Sequence, residues 1–199
     1  MASFNIHLAV GKRYYEKNKS VIKIKKEFYK GIIAPDLVED KKISHYTEKQ
    51  SKNDVPDYLS KKVQLNKYLK SENIDTDYQK GVFLHLITDY LFFNYFFNMN
   101  YLKNISYENF CKDLYYSYDI TDEYLENKYK IDYTEFSEQI NKNIEKNKRE
   151  KNTLDEMRTN ILEFNKMDVF IEYVSNIDLE NYKNKVIENN CNVLPDNIK

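Results

Sequence analysis

The run Tyr78-Gln79-Lys80-Gly81-Val82-Phe83-Leu84-His85-Leu86-Ile87-Thr88-Asp89-Tyr90-Leu91-Phe92, continuing to Leu102, decides the fold. As a helix it would carry Phe83, Leu84, Leu86, Ile87, Leu91, Phe92, Tyr95 and Phe96 nearly all round, the pattern of a central helix buried by its neighbours. Val82 to Leu102 has about the length needed to cross a bilayer. Yet His85, Asp89, Asn94, Asn98 and Asn100 lie inside it, and an Asp at mid-membrane costs roughly 3 kcal/mol. A core helix over 78–102 is expected instead, and no transmembrane segment.

Within that helix His85 and Asp89 fall one turn apart on one stripe, close enough to converge on a single ion. An imidazole and a carboxylate are expensive to bury unless they are paired or coordinated. The pair therefore reads in two ways, as a buried hydrogen bond that specifies packing or as two metal ligands. Gly81, one turn earlier, removes a side chain and admits a neighbouring backbone or a ligand.

Working outward, Ser3 is placed to cap a first helix whose apolar face includes Phe4, His7, Leu8 and Val10. A second helix is expected from Val21 to Ile33, ending at Ala34-Pro35 because proline disfavours helical geometry in the residue before it, with Asp36 just after the break. Residues 38–56 read as a long connection with a short turn around His45. Tyr58, Leu59, Val63, Leu65 and Leu69 predict a helix over 57–70, broken at 71–77. Further helices are expected near 107–129, 133–150, 154–175 and 178–190, the third with an apolar face of Leu154, Met157, Ile161, Leu162, Phe164 and Val169. The fold class is all-α, a single helical domain over 1–199 in which residues 103–199 complete the bundle around a site built from 1–102.

Composition narrows the function classes. With 31 Lys and Arg against 32 Asp and Glu, the net charge of -1 gives no global footprint for duplex nucleic acid or an anionic membrane. The two cysteines, Cys111 and Cys191, are too few and too far apart for a metal pair or a disulfide scaffold and read as reduced, structural thiols. The start of the chain has neither the basic residues nor the apolar run of a secretory signal, so a cytoplasmic protein is expected. All three histidines, His7, His45 and His85, lie in the first 85 residues, so metal chemistry must come from that half.

Taken in order, these features are a histidine early in the first helix, Ile33-Ala34-Pro35-Asp36 after the second, Ser44-His45-Tyr46, and Gly81-x-x-x-His85-x-x-x-Asp89 in the central helix. The set resembles the zinc-dependent phospholipase C family, which shares its fold with the P1-type nucleases. The resemblance spans residues 3–102, with a weaker echo in Tyr118-Asp119-Ile120-Thr121-Asp122-Glu123-Tyr124-Leu125. It implies an all-helical bundle in which Asp36, His45, His85 and Asp89 hold a principal zinc ion. His7 would then share that ion or hold a second one bridged by Asp89. Trinuclear members draw further His and Glu ligands from beyond the central helix and use a processed amino terminus. No histidine follows residue 85 here, so one ion, or at most two, is expected.

A divalent ion there, zinc or another transition metal, would activate a water and polarise a phosphoryl oxygen, with Asp36 as the preferred general base. The implied activity is hydrolysis of a phosphoester small molecule or a phospholipid headgroup. Aromatics around the central helix, including Phe92, Phe93, Tyr95, Phe96 and Phe97, are core residues or a surface for an apolar or base-like guest. Two other readings stand beside it: a noncatalytic helical protein with a structural metal or polar cluster, and a lipid- or nucleotide-binding module without turnover.

Overall fold

The computed structural model of the protein describes residues 2–49, 61–95, 105–136 and 160–193. In chain order these form α1 (Phe4–Lys17), α2 (Lys25–Leu37), α3 (Lys41–Ser44), β1 (Thr47–Lys49), β2 (Lys61–Val63), α4 (Leu65–Ser71), α5 (Asp77–Tyr95), α6 (Tyr107–Tyr129), a 3-10 turn at Tyr133–Glu135, α7 (Phe164–Val174) and α8 (Leu179–Asn189). The architecture is all-helical apart from one two-stranded ladder, β1 antiparallel to β2 with Thr47 opposite Val63. No helix among the described residues is long and apolar enough to cross a membrane.

The fold is organised by the crossing of α2 and α5, where two glycines face each other. A Cβ on Gly31 would lie 2.0 Å from the Tyr78 carbonyl oxygen, and one on Gly81 would lie 2.2 Å from that of Phe28. Only bare backbone fits at that separation. On either side of the contact Phe28, Ile32 and Ile33 of α2 pack with Phe83, Leu84, Leu86 and Ile87 of α5. Burying each such side chain stabilises by about 1.5–3 kcal/mol. Asp77, at the start of α5, accepts hydrogen bonds from the backbone N–H groups of Lys23 (2.9 Å) and Ile24 (2.6 Å), which ties the entry of α2 to the entry of α5.

Helix α1 lies against α2, α6 and α7 with Ile6, Leu8, Ala9 and Val10 buried. Ser3 caps it as its sequence predicts, accepting from the N–H of Ile6. The same hydroxyl donates to Asp122 of α6, and Asn5 donates to Glu126 one turn further on, so α6 is fastened along α1 by polar pairs. α8 covers α4 and α5, bringing Tyr182 against Phe83.

Several boundaries differ from the sequence expectations. α2 does not stop before Pro35 but runs through it to Leu37, which puts Asp36 inside the last turn. Pro35 lacks the N–H that would bond one turn back, so the helix continues through it at the loss of that one bond. The helix expected over 57–70 is shorter, Leu65–Ser71, and Val63 sits in β2; residues 57–60 lie outside the description. The loop around His45 contains the short helix α3 and then β1, joined through Tyr46 at φ 50°.

Of the helix expected over 133–150 only the 3-10 turn is described. α7 begins at Phe164 rather than 154, so its buried stripe is Met167, Phe170, Ile171 and Val174, while Phe164 and Val169 face solvent. Residues 96–102 of the central helix lie outside the description. Cys111 is half-buried and Cys191 is exposed, so Cys191 is not a structural thiol.

Candidate metal centre

Five side chains meet where α1, α2, α3 and α5 come together: His7 from the first turn of α1, Asp36 from the last turn of α2, His45 at the C-terminal cap of α3, and His85 and Asp89 from the middle of α5. These are the five residues singled out in the sequence, and the fold brings all of them together. His7 is 1 % exposed, and His45, His85 and Asp89 are completely buried. Only Asp36, whose side chain is 8 % exposed, reaches toward solvent.

The tightest contacts join Nε2 of His45 to Nε2 of His85 (3.0 Å), to Asp89 Oδ2 (3.3 Å) and to Asp36 Oδ1 (3.7 Å); His85 Nε2 lies 3.5 Å from the same Asp89 Oδ2. Ligands about 2.0–2.2 Å from a tetrahedral zinc lie about 3.3–3.5 Å from one another. The four donor atoms are spaced around that edge length. On the far side, His7 Nε2 is 3.4 Å from Asp89 Oδ1, an oxygen that also accepts the N–H of Ala2 at 2.7 Å.

The partners of the other ring nitrogens decide where the protons are. His85 Nδ1 is 2.7 Å from the carbonyl oxygen of Ile32, an atom that only accepts, so Nδ1 carries the hydrogen. His45 Nδ1 stands 3.0 Å from the Lys41 carbonyl and 2.9 Å from Ser44 Oγ, whose own hydrogen points to the Pro35 carbonyl 2.8 Å away. His45 is therefore also protonated on Nδ1. In the neutral tautomers, both Nε2 atoms present lone pairs to each other across 3.0 Å, with two carboxylate oxygens beside them. Such an arrangement calls for a cation between the donors, a proton or a metal ion.

The electrostatics agree. Burial pushes His85 down, but contact with Asp89 and the charges of Asp36 and Asp89 outweigh it and raise its pKa above the ordinary imidazole value, so a proton there is the metal-free counterpart of the ion. Burial, reinforced by His85, lowers the pKa of His7. The His7 and His85 rings stack 3.7 Å apart at 9°, a geometry that two imidazolium ions would not share. Burial alone would raise Asp89; the opposing pull of His7 and of the nearby His45 and His85 rings holds its carboxyl well below the usual range. Asp36 is lowered as well, against burial, by His85 and His7 and with help from Lys41. Both carboxylates are thus ionised.

Polar atoms without partners mark the same place. His7 Nδ1, His7 Nε2 and Asp89 Oδ2 are buried with no hydrogen bond, a costly state unless something else satisfies them. The residues present fit a divalent ion in either of two groups that share His85: His7 with His85 and Asp89, and Asp36 with His45 and His85.

Comparison of the chain with protein-family models, with curated proteins and with solved structures returns no match. Function must be argued from the site itself. Besides the five ligands it depends on groups that sequence reasoning missed: the Ile32 and Lys41 carbonyls and the Ser44 hydroxyl that orient the two rings, the Ala2 N–H on Asp89, and the Lys41 ammonium, 3.0 Å from Asp36 Oδ1. Backbone groups leave no trace in residue identity, and Lys41 is one lysine in a charged stretch. Ser44, directly before His45, was the one with a visible signal.

Proposed function

We propose that the protein is a metal-dependent phosphoester hydrolase, with a fold of the zinc-dependent phospholipase C and P1 nuclease type. One observation carries the reading: two buried imidazoles, each locked in the Nδ1–H tautomer, turn their Nε2 lone pairs toward each other and toward two ionised carboxylates. Nitrogen and oxygen donors in this number suit zinc best among the common divalent ions.

A divalent ion held there would lower the pKa of its water to about 7 and polarise a phosphoryl oxygen. The chain's own groups supply the rest. Ile32, Lys41 and Ser44 hold the rings in register through their outer nitrogens, as second partners of metal-binding histidines do. Asp36 stands at the solvent edge, and both of its polar contacts run through Oδ1, which leaves Oδ2 to accept a proton from an attacking water. A groove of about 250 Å³ runs along Pro35, Val38, Ile43, Ser44, Tyr46 and Tyr78, next in the chain to Asp36 and His45 but lined by neither. Of the aromatics expected around the central helix, Phe92 is fully buried core and Phe93 is half-buried, while the side chains of residues 95–97 lie outside the description.

The test is zinc content of the purified protein by elemental analysis, followed by hydrolysis of bis(p-nitrophenyl) phosphate before chelation, after it, and after zinc is restored. About one ion per chain and turnover that tracks it are expected. In Asp36→Asn turnover should fall at least about tenfold while zinc content changes little, the signature of a base with a modest share in binding. The near-complete burial of His7, His45, His85 and Asp89 favours one rival, a closed structural ion. Stoichiometric zinc without metal-dependent turnover would overturn the hydrolase reading in favour of a structural ion or of a binding module without turnover.

A further inference from the structure

We propose that Lys41 is the residue that selects an anionic ligand at this centre, its ammonium receiving a non-bridging oxygen of a phosphate ester. The inference rests on the metal-centre reading above and adds to it a specificity residue and a charge class of ligand.

Access comes first. Among the five converging side chains only Asp36 has measurable exposure, so a ligand from solvent must arrive past Asp36. Lys41 stands at that point: its Nζ lies 3.0 Å from Asp36 Oδ1 while 45 % of its side chain stays in contact with solvent. Lys41 is well hydrated without the pair, whereas the nearly buried carboxylate of Asp36 gains a charged partner from it. The position of Lys41 relative to the centre is the feature that needs a reason.

That position is fixed by the backbone. Lys41 is the first residue of α3, whose start is capped by Asp40 accepting the Lys42 N–H, and its carbonyl accepts the Nδ1–H of His45. One residue therefore orients a ligand ring through its carbonyl and places a cation at the entrance through its side chain. Any shift of α3 that moved the ammonium would also move His45.

Charge then sets the ligand class. Asp36 and Asp89 balance one divalent ion, and the imidazoles add none, so Lys41 leaves the loaded centre with a single positive charge. That charge attracts an anionic phosphate ester to the entrance. The ammonium is suited to bridging because it carries three N–H donors on a flexible stem and can hold Asp36 with one while turning another to a second oxygen.

The experiment uses zinc-loaded full-length protein and its Lys41→Met and Lys41→Arg variants. Three quantities are measured: zinc per chain, dissociation constants for dimethyl phosphate and inorganic phosphate by calorimetry at two salt concentrations, and kcat and KM for bis(p-nitrophenyl) phosphate. In Lys41→Met zinc content should match wild type, while dimethyl phosphate binding weakens about tenfold and loses most of its salt dependence. KM should rise, and Lys41→Arg should restore most of the affinity. Inorganic phosphate, the more highly charged ion, should lose at least as much affinity as dimethyl phosphate in Lys41→Met.

Unchanged dimethyl phosphate affinity in Lys41→Met, or a loss of zinc in step with the loss of affinity, overturns the proposal. Wild-type protein that binds zinc and dimethyl phosphate through Lys41 yet hydrolyses no ester overturns the hydrolase reading and leaves this one standing. Wild-type protein that takes up no zinc overturns both.

Discussion

Helix α1 carries two charged clusters that look alike in a contact list and differ in what they can do. At its start His7 faces Asp89 in complete burial. Toward its end Arg13 and Lys17 reach Glu172 of α7 with side chains 21–50 % exposed. In both, a carboxyl is held below its ordinary pKa: Asp89 by three imidazoles working against burial, Glu172 by Lys17 and then Arg13, down to about 2. Water can replace every partner of Glu172 at small cost, so that cluster only pins two helices together. Nothing can replace the partners of Asp89, because no water reaches it, and a centre of this kind holds either a cation or an unpaid desolvation penalty. Burial separates a charge cluster that needs a cation from one that water can satisfy.

The sharpest way to break this contrast is His85→Ala. The variant removes a donor that touches Asp89, His45 and, through Ile32, helix α2. Stoichiometric zinc binding should be lost, and the buried carboxylates left behind should destabilise the fold by about 3–5 kcal/mol, a drop in Tm on the order of 10 °C. Elemental analysis and thermal melts with and without chelator check both. A chelator should lower the melt of wild type and leave that of the variant where it is, since bound metal is part of the folding energy. Unchanged zinc per chain in His85→Ala would remove the buried cluster from the class of metal centres.

Gly31→Ala sharpens the comparison from a distance. The new methyl would sit 2.0 Å from the Tyr78 carbonyl oxygen, a backbone atom that cannot swing aside, so α2 must move from α5. Overpacking of this kind costs about 1–3 kcal/mol. The displacement also carries the Ile32 carbonyl away from His85 Nδ1, so zinc affinity should weaken although no ligand has changed. A competition titration against a chromophoric chelator measures it. Gly11→Ala is the control: its methyl would meet only side-chain carbons of Ile32, the nearest at 3.0 Å, and zinc affinity should hold. Equal zinc affinity in Gly31→Ala and wild type would show that the helix crossing does not set the geometry of the rings.

What the sequence revealed follows the same division. α5 was legible because its apolar residues and its His-x-x-x-Asp spacing are both local, and α1 because Ser3 announces its cap. All five converging side chains were legible too, since imidazole and carboxylate in apolar segments stand out against a background of lysine and asparagine. Pro35 misled about the end of α2, because whether a helix runs on through the loss of one bond is a property of the finished helix. β2 was hidden since its ladder partner lies twelve residues or more away, and three residues carry no period. The orienting carbonyls and the exposed Lys41 were hidden for the opposite reason: their identity is ordinary and only their position is informative.

The smallest effect belongs to the outer cluster, and its size is the point. Glu172→Gln removes the acceptor of Arg13 and Lys17 but leaves both solvated, so stability should change by less than about 1 kcal/mol and zinc content not at all. Because the folded pKa of Glu172, about 2, lies below its ordinary value of 4.5, the contribution is present above pH 4.5 and is lost as pH falls toward 2. Wild type and variant should therefore differ slightly at neutral pH and converge in acid, as paired melts between pH 7 and pH 3 would show. A large neutral-pH penalty in Glu172→Gln, approaching that of His85→Ala, would mean that exposure does not discriminate between the two clusters. The buried centre would then lose its claim to be different in kind.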